Sequence, residues 1–430
     1  MREGDLDLDE YRAVIPADDY RVEEVRGRLR STFPAGTALL VAPLVAVVDA
    51  GARALGNDPY ARLRTVPPDH PTTKLAKTLA SVLVALAAAV LVPLGTRRRT
   101  GVPGAAAGGL TGPVAAGLAL AFAFATPAWS ILSRGLWQHG PVVLCLAGAL
   151  LLLVRGEERA WATAASALPL AFAYVVRPTA AIPLVAFGAA VAVRWPRRVP
   201  GWLAAAGAVL VPFALWSRAV YGAWLPPYHL PGRLTFHDAY LEALAANLVS
   251  PARGLLVHAP LVAFAGWGLW LVRGRLTRRE GALEAAAAAA CVVHWLVVSA
   301  FPHWWAGHGY GPRFMTDLLP LLVWLAMPAV GVLAAPTVGG ARAAKPARAG
   351  RSARGPAGRS LRRGRAGRPA LWTGRALLAA AVAWGVFVNA RGARDVGPWG
   401  WHETPVDLDR APSRVWDWSD PPFLRTEERP

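Results

Sequence analysis

The sequence predicts an all-α fold, a polytopic integral membrane helical bundle of about 10 transmembrane helices plus an interfacial helix. Of its 430 residues, 54% are hydrophobic and only 17% are charged, which is too apolar for one soluble domain with a single core. Several apolar runs reach the roughly 20 residues that a helix needs to cross about 30 Å of hydrocarbon. Short, arginine-rich segments separate these runs, as in multi-span proteins.

Ten uninterrupted apolar runs are interpreted as membrane-crossing helices. They cover residues 74–95, 112–128, 139–154, 160–176, 178–194, 202–221, 255–272, 281–301, 315–336 and 371–390. The run 36–55 is interpreted differently, because Asp49 and Arg53 would each cost about 2.5–3.5 kcal/mol near a bilayer centre. We expect an interfacial helix there.

The basic segments follow alternate spans, which predicts that they share one face of the membrane. They are Arg97–Arg99, Arg155 with Arg159, Arg194–Arg198, Arg273–Arg279 and residues 341–369. Short loops rich in Lys and Arg stay in the cytoplasm, so the pattern predicts a multi-pass protein of the bacterial inner (plasma) membrane. The formal charge of +19 is then an orientation signal, and membrane lipids rather than nucleic acid are the expected partners.

This orientation divides the chain into five parts. They are an external acidic segment with the interfacial helix (1–73), a bundle of about nine spans (74–336) with external loops 222–254 and 302–314, a basic disordered cytoplasmic linker (337–370), the last transmembrane helix (371–390) and an external Trp-rich tail (391–430). The linker is predicted to be disordered because residues 341–369 carry ten Arg or Lys and no acid, and bury too little apolar surface to fold.

Residues 1–35 are net acidic, yet no export signal precedes them to carry them outside. We therefore expect the natural protein to start upstream with a further helix. The alternative is that the run 36–55 crosses the membrane, which gives eleven helices and a cytoplasmic N-terminus.

External loop 302–314 is the segment richest in aromatic, imidazole and glycine residues. Trp305, His308 and Tyr310 suit contacts to a sugar or acceptor, and Arg313 suits a bidentate contact to phosphate. The alternative is a membrane-interface aromatic belt with a snorkelling arginine.

Two more external segments carry polar side chains beside apolar runs. Arg253 precedes a helix that carries His258, which makes either an anion site or an interfacial anchor. Arg134 stands in the turn before residues Gln138 and His139, which need a polar partner or a cavity just inside a membrane helix.

The two cysteines, Cys145 and Cys291, lie in apolar runs without the spacing of a metal site or a disulfide framework. Neither a metal site nor a disulfide is expected.

Together these segments resemble a bacterial GT-C superfamily glycosyltransferase, the multi-span class that includes the protein O-mannosyltransferases and the lipid A aminoarabinose transferase. The likeness covers nearly the whole chain and is carried by GDLDLD (4–9), FPAGTALL (33–40), SRGLWQHGP (133–141), Arg177–Pro178, SPARG (250–254), WWAGHGYGPRF (304–314) and RVWDW (414–418). It implies a GT-C-type bundle without a cofactor, which moves a hexosyl or pentosyl group from a polyprenyl-phosphate-linked sugar. The acceptor would be an envelope glycan, lipid or protein on the outer face.

The resemblance also implies roles for the external residues. The donor's phosphate would be met by Arg253, Arg313 and Arg134, and the sugar or acceptor by Gln138, His139, His258, Trp305, His308 and Tyr310. The family's Asp-Glu pair normally follows a first helix and lies upstream of the position that matches Gly4. The catalytic base is therefore unassigned, with Asp5, Asp7 and His139 as candidates.

Two other functions stay open. A transporter or flippase of lipid-linked or small polar substrates also has many spans, but such proteins often show paired halves, and this sequence shows no internal repeat. An inactive truncated remnant is the third reading.

Overall fold

The computed structural model describes residues 6–13, 15–16, 18–57, 71–98, 109–230, 232, 234–276, 278–335, 363–395 and 397–426. The chain is about 72% helical, and strands in the described part are confined to one two-stranded hairpin. The prediction of a helical fold is confirmed at this level.

The described helices run in chain order and include several very short ones. They are α1 (Gly36–Ala54), α2 (Pro71–Arg97), α3 (Gly112–Phe124), α4 (His139–Gly156), α5 (Ala160–Ala165), α6 (Ala167–Val176), α7 (Ala181–Arg194), α8 (Val199–Tyr221), α9 (Tyr240–Val249), α10 (Leu255–His258), α11 (Phe264–Val272), α12 (Ala282–Ser299), α13 (Leu319–Ala334), α14 (Arg363–Arg394) and α15 (Gly397–Gly400). Helix α14 begins inside the predicted linker 337–370, whose residues 337–362 lie outside the described ranges.

Seven of the described helical segments are long and apolar enough to cross a membrane. They are Gly36–Ala54, Lys74–Arg97, His139–Gly156, Pro196–Tyr221, Arg279–Ser299, Arg313–Ala334 and Pro369–Arg394. Large apolar side chains point away from the protein on three of them, as at Val47 (72% exposed), Leu203 (58%) and Leu377 (60%). Such surfaces match hydrocarbon better than water, so the fold suggests a membrane protein.

Two of the predicted spans are interrupted near a proline, which has no backbone N–H to donate. The run 255–272 contains Pro260, and the structure divides it into α10, a 3-10 turn and α11. The run 112–128 ends early, at Phe124, and a π-helical turn over Ala128–Leu132 follows Pro127. Apolar composition marks these runs but does not reveal their breaks.

Helix α13 lies at the centre of the bundle and is largely buried. It packs against α11, while α2 packs against α3 and α4, α4 against α6, α6 against α8, and α7 against α12. The largest fully buried side chains of this core include Trp324, Phe122 and Phe187. The core is thus made mainly by the predicted apolar runs.

Helix α1 starts against α6 and is mostly unburied along the rest of its length. A Cβ at Gly36 would meet the Val176 backbone at 2.7 Å, so only glycine permits this approach. Asp49 pairs with Arg53 one turn later, at 2.6 Å. This pairing reduces the cost assigned to each charge in a membrane. The interfacial placement of α1 stays a prediction.

The sequence analysis did not predict the antiparallel hairpin of β1 (Val22–Val25) and β2 (Arg28–Ser31). Its two-residue turn places Arg26 and Gly27 at φ +52° and +78°, the positive angles of a tight hairpin turn. An Arg-Gly pair between two strands of four residues is a weak sequence signal, and it was missed.

Four of the basic segments, those around Arg98, Arg155, Arg194 and Arg275, lie together at one end of the described bundle. Arg98 and Arg275 both approach Glu284, at 3.5 and 3.8 Å. Beside them, Arg194 pairs with Glu157 at 2.8 Å. The opposite end carries the segments that were expected to hold the chemistry.

The α11–α13 contact gives a test of the packing. A Cβ at Gly268 would lie 1.9 Å from the Leu325 carbonyl oxygen, whereas one at Gly266 in the same helix would meet nothing within 4 Å. We expect Gly268→Ala to cost about 1–3 kcal/mol, because the helices must separate. Gly266→Ala should be neutral or stabilising by up to about 1 kcal/mol. Thermal unfolding of both purified variants in the same detergent tests this, and equal melting temperatures would contradict the packing.

Candidate functional site

Three segments converge at the end of the bundle opposite the basic loops: the turn before α4, the end of α6 and the residues before α13. Helix α6 ends at Val176 because Pro178 disfavours helical geometry at Arg177, which is extended. Gly311, at φ +67°, leads into a 3-10 turn over Arg313–Leu318. These local breaks turn polar side chains inward at the helix ends.

The carboxylate of Asp317 is the centre of this site and is 3% exposed. Its Oδ1 lies 2.8 Å from His139 Nδ1, and its Oδ2 lies 2.9 Å from Arg177 Nε. His294 Nε2 is 3.9 Å from the same Oδ2 and hydrogen-bonds the Phe314 carbonyl oxygen at 2.9 Å. One buried carboxylate therefore balances a guanidinium and orients two imidazoles.

Arg177 is held from several directions. Its Nε–H donates to Thr179 Oγ1 at 3.0 Å, so the close approach to Asp317 Oδ2 is an ion contact rather than an aligned hydrogen bond. Its Nη1 lies 3.5 Å from His139 Nε2. When His139 Nδ1 donates to Asp317, Nε2 is left as an acceptor towards Arg177. His139 thus bridges the acid and the guanidinium.

Arg313 has different surroundings. Its guanidinium carbon lies 4.9 Å from the Trp137 ring centroid and 5.6 Å from that of Phe314, over which Arg177 also lies at 5.5 Å. No carboxylate within 4 Å and no hydrogen-bond acceptor of this guanidinium is found among the described residues. Its electrostatic neighbours there are Arg177, Tyr228 and Tyr20. It is a partly exposed cation without an acid.

Two other residues of the predicted site lie in the turn that supplies Trp137. Arg134 Nε and Gln138 Oε1 are buried and have no hydrogen-bond partner in the described part of the chain. Arg177 and Arg313 give this region one cation more than the Asp317 carboxylate balances among the described residues. Such a set favours an anionic ligand with several acceptor oxygens.

Arg253 is used inside the protein. It is 1% exposed, and its Nε, Nη1 and Nη2 donate to the carbonyl oxygens of Trp305 (2.5 Å), Ala252 (3.1 Å) and Gly307 (2.8 Å). Burial lowers the pKa of Arg253 to about 9. Every nitrogen of this guanidinium already has a carbonyl partner, so the geometry gives Arg253 the task of shaping loop 302–314. The phosphate contact predicted for it has no support from this geometry.

The other predicted contact residues face α14 and the tail. Tyr310 is buried and donates to the Val388 carbonyl oxygen at 2.7 Å, and Trp305 Nε1 donates to Asp409 at 2.7 Å. His258 is buried, with Nδ1 3.0 Å from the Gly254 carbonyl oxygen. The structure thus brings His139 and Arg313 close together, with Gln138 next to His139 in the chain. Tyr310 instead bonds to α14, Trp305 to the tail, and His258 to its own segment.

His308 lies between the loop and the tail, 3.3 Å from Asp407 and 3.9 Å from Asp409. Ligand atoms of these three side chains lie within 4.8 Å of one another, close enough to hold a metal ion. The sequence analysis predicted no metal site. All three side chains are well exposed, and exposed groups of this kind are common in proteins without an ion.

The two acidic candidates for the base lie in the N-terminal segment. Asp5 is outside the described residues. Asp7 is buried, pairs with Arg28 at 2.7 Å and lines a cavity between this segment and the bundle. Tyr228, an electrostatic neighbour of Arg313, lines the same cavity. The cavity and the arginine site are therefore adjacent.

Sequence reasoning missed Asp317, and it noted Arg177 only as part of a resemblance. A signal for Asp317 was present, because it is the only acid in the apolar run 315–336, where an ionisable residue needs a partner. The position of Tyr228 within electrostatic reach of Arg313 had no sequence signal, since it depends on how loop 222–254 folds back.

Comparison of the chain with protein-family models, with curated proteins and with solved structures gives no match.

The role of Asp317 gives a second test. Asp317→Asn removes the charge that balances Arg177, and breaking a buried ion pair from one side typically costs about 3–5 kcal/mol. Glu157→Gln is the matched control, because Glu157 also pairs with an arginine but is 43% exposed; it should cost less than about 1 kcal/mol. Unfolding of both variants in one detergent provides the comparison, and equally small losses would show that Asp317 balances no buried charge.

Proposed function

We propose that this protein is a membrane glycosyltransferase of the GT-C type, which moves a sugar from a polyprenyl-phosphate donor to a cell-envelope acceptor. The observation that carries the proposal is the pair of Arg177 and Arg313 around the Phe314 ring, of which, in the described part of the chain, only Arg177 faces a carboxylate. A cation without an acid at the mouth of a helical bundle favours a phosphate ligand. The resemblance of the segments that supply both arginines adds support.

The two arginines differ in a way that suits a leaving phosphate. Arg177 is fixed by Asp317, His139 and Thr179, so its charge is already in place before the phosphate–sugar bond breaks. The Arg313 guanidinium lies against the Trp137 and Phe314 rings and has no acceptor among the described residues, so its fork of N–H donors can hold phosphate oxygens. His139 acts here as a positioning residue for Arg177.

The membrane arrangement follows from the charge pattern. We infer about ten crossing helices in the bacterial inner membrane, with the basic end at Arg98, Arg275 and Arg194 in the cytoplasm. The arginine site then lies at the outer face, where a polyprenyl chain in the membrane presents its phosphate at the interface. The acceptor reaches this site from the outside.

Transfer breaks the bond between the anomeric carbon and the phosphate oxygen and joins that carbon to an acceptor oxygen, whose proton goes to a carboxylate. Asp7 and Glu10 line the cavity next to the arginine site, which makes them the acids to examine first. Of the two, Asp7 is already paired with Arg28, whereas Glu10 Oε2 is buried without a partner among the described residues.

The role of Arg313 is tested by sugar transfer. Membranes containing the wild-type chain or a variant receive a panel of radiolabelled polyprenyl-phosphate sugars, and label in the envelope fraction is measured. We expect Arg313→Ala to lower the rate about 10²–10³-fold, because a preorganised charge on the leaving group is lost, and Arg313→Lys to retain part of it.

Arg159→Ala is the control for net charge, because Arg159 is exposed at the other end of the bundle. Its activity should equal that of wild type. Full activity of Arg313→Ala rules out the phosphate role of Arg313. Absence of label with every donor, with the wild-type chain inserted in the membrane, rules against the transferase and favours a transporter or an inactive bundle.

A further inference from the structure

A cavity of about 310 Å³ lies where the N-terminal segment covers the outer ends of α1 and α8. Its walls are formed by residues 6–11, by Glu23 of β1, by β2 with residues 32–35, by Ala38 of α1, by the second half of α8 and by residues 226–229. Its volume is at the lower end of the range for small-ligand pockets, about 300–1,000 Å³. It suits one compact ligand rather than a lipid chain.

The apolar part of the wall is aromatic. Phe213 and Trp216 are stacked with centroids 5.9 Å apart, and Phe33 meets Tyr228 edge to face at 6.0 Å. Tyr221 completes this wall with its ring edge to face against Trp216 at 5.7 Å. Aromatic faces pack against the C–H surface of a sugar ring while leaving its hydroxyl groups free for polar contacts.

The polar part of the wall contains two atoms that lack hydrogen-bond partners. Glu10 Oε2 and Arg30 Nε are both buried, and neither has a hydrogen-bond partner among the described residues. Both side chains line the cavity, and they form no ion pair with each other. Buried polar atoms are rarely left without partners, so a ligand that supplies them is the natural explanation.

The charge of the wall restricts that ligand. Asp7 is paired with Arg28, which leaves Glu10 and Glu23 against the one lining arginine, Arg30, so a phosphate or carboxylate ligand is disfavoured. A hydroxyl group donates to Glu10 and accepts from Arg30, so a neutral polyhydroxylated ring satisfies both. A purely apolar ligand would leave both groups unpaired.

We propose that this cavity binds the ring of a neutral hexose or pentose. The inference that the cavity binds a sugar depends on the cavity alone. The inference that it holds the sugar of the acceptor or donor beside Arg313 rests on the proposed transferase function. The link between the two sites is Tyr228, which lines the cavity and is an electrostatic neighbour of Arg313.

The test measures direct binding of methyl glycosides to the full chain in lipid nanodiscs. Saturation-transfer-difference NMR detects the binding across a panel of hexoses and pentoses. At least one glycoside should bind saturably. Glu10→Gln removes the charge that accepts from ligand hydroxyls and should weaken binding about 10- to 100-fold. Trp216→Ala should weaken it similarly, and Trp216→Phe should restore much of it.

Asp18→Asn is the matched control, because Asp18 is an exposed acid of the same segment that does not line the cavity. It should bind like wild type, and the melting temperatures of all variants show that they are folded. Arg313→Ala should keep sugar binding while losing transfer, which separates the two sites. No saturable binding of any glycoside to wild type, or unchanged binding by both Glu10→Gln and Trp216→Ala, overturns the proposal, whatever the transfer assay shows.

Discussion

The buried carboxylate of Asp317 is the interaction on which the end of the bundle opposite the basic loops depends. It is 3% exposed, and it is in ion contact with Arg177 and hydrogen-bonded to His139. A charge in such a place is tolerated only when it is paired and oriented. Because His139 begins α4, Arg177 ends α6 and Asp317 precedes α13, this one carboxylate also ties three helix ends together. The position of Arg313, four residues before Asp317, follows from the same turn.

The breaks in the helices matter as much as the helices. Pro178 and Pro260 each end a regular helix near the end of the bundle opposite the basic loops, and Gly311 leads loop 302–314 into the 3-10 turn over Arg313–Leu318. These irregular segments let polar side chains or carbonyls face inward. A bundle of uninterrupted helices would present mainly apolar surface there. The apolar runs therefore form the body of the bundle, and the breaks between them place polar groups in the site.

The sequence predicted the apolar runs and the grouping of basic loops, and it singled out segments that meet in the candidate site, because each of these depends on residues close together in the chain. Contacts between segments that are far apart in the chain could not be predicted from the sequence. Asp317 meets His139 across 178 residues, and Trp305 reaches Asp409 across 104. Neither pairing has a local pattern. The hairpin was missed for a different reason, since an Arg-Gly turn between two short strands has little statistical weight.

Arg253 and Arg313 show why residue type and loop position alone do not identify a binding arginine. Both precede apolar helices in loops that the sequence predicts to be external, and both were expected to have the same role. Arg253 is surrounded by carbonyl oxygens, and its three nitrogens are used to hold loop 302–314. Arg313 is surrounded by aromatic rings, which stabilise a cation without consuming its N–H donors. The supply of acceptors around each guanidinium therefore decides whether it builds the site or is left available to a ligand.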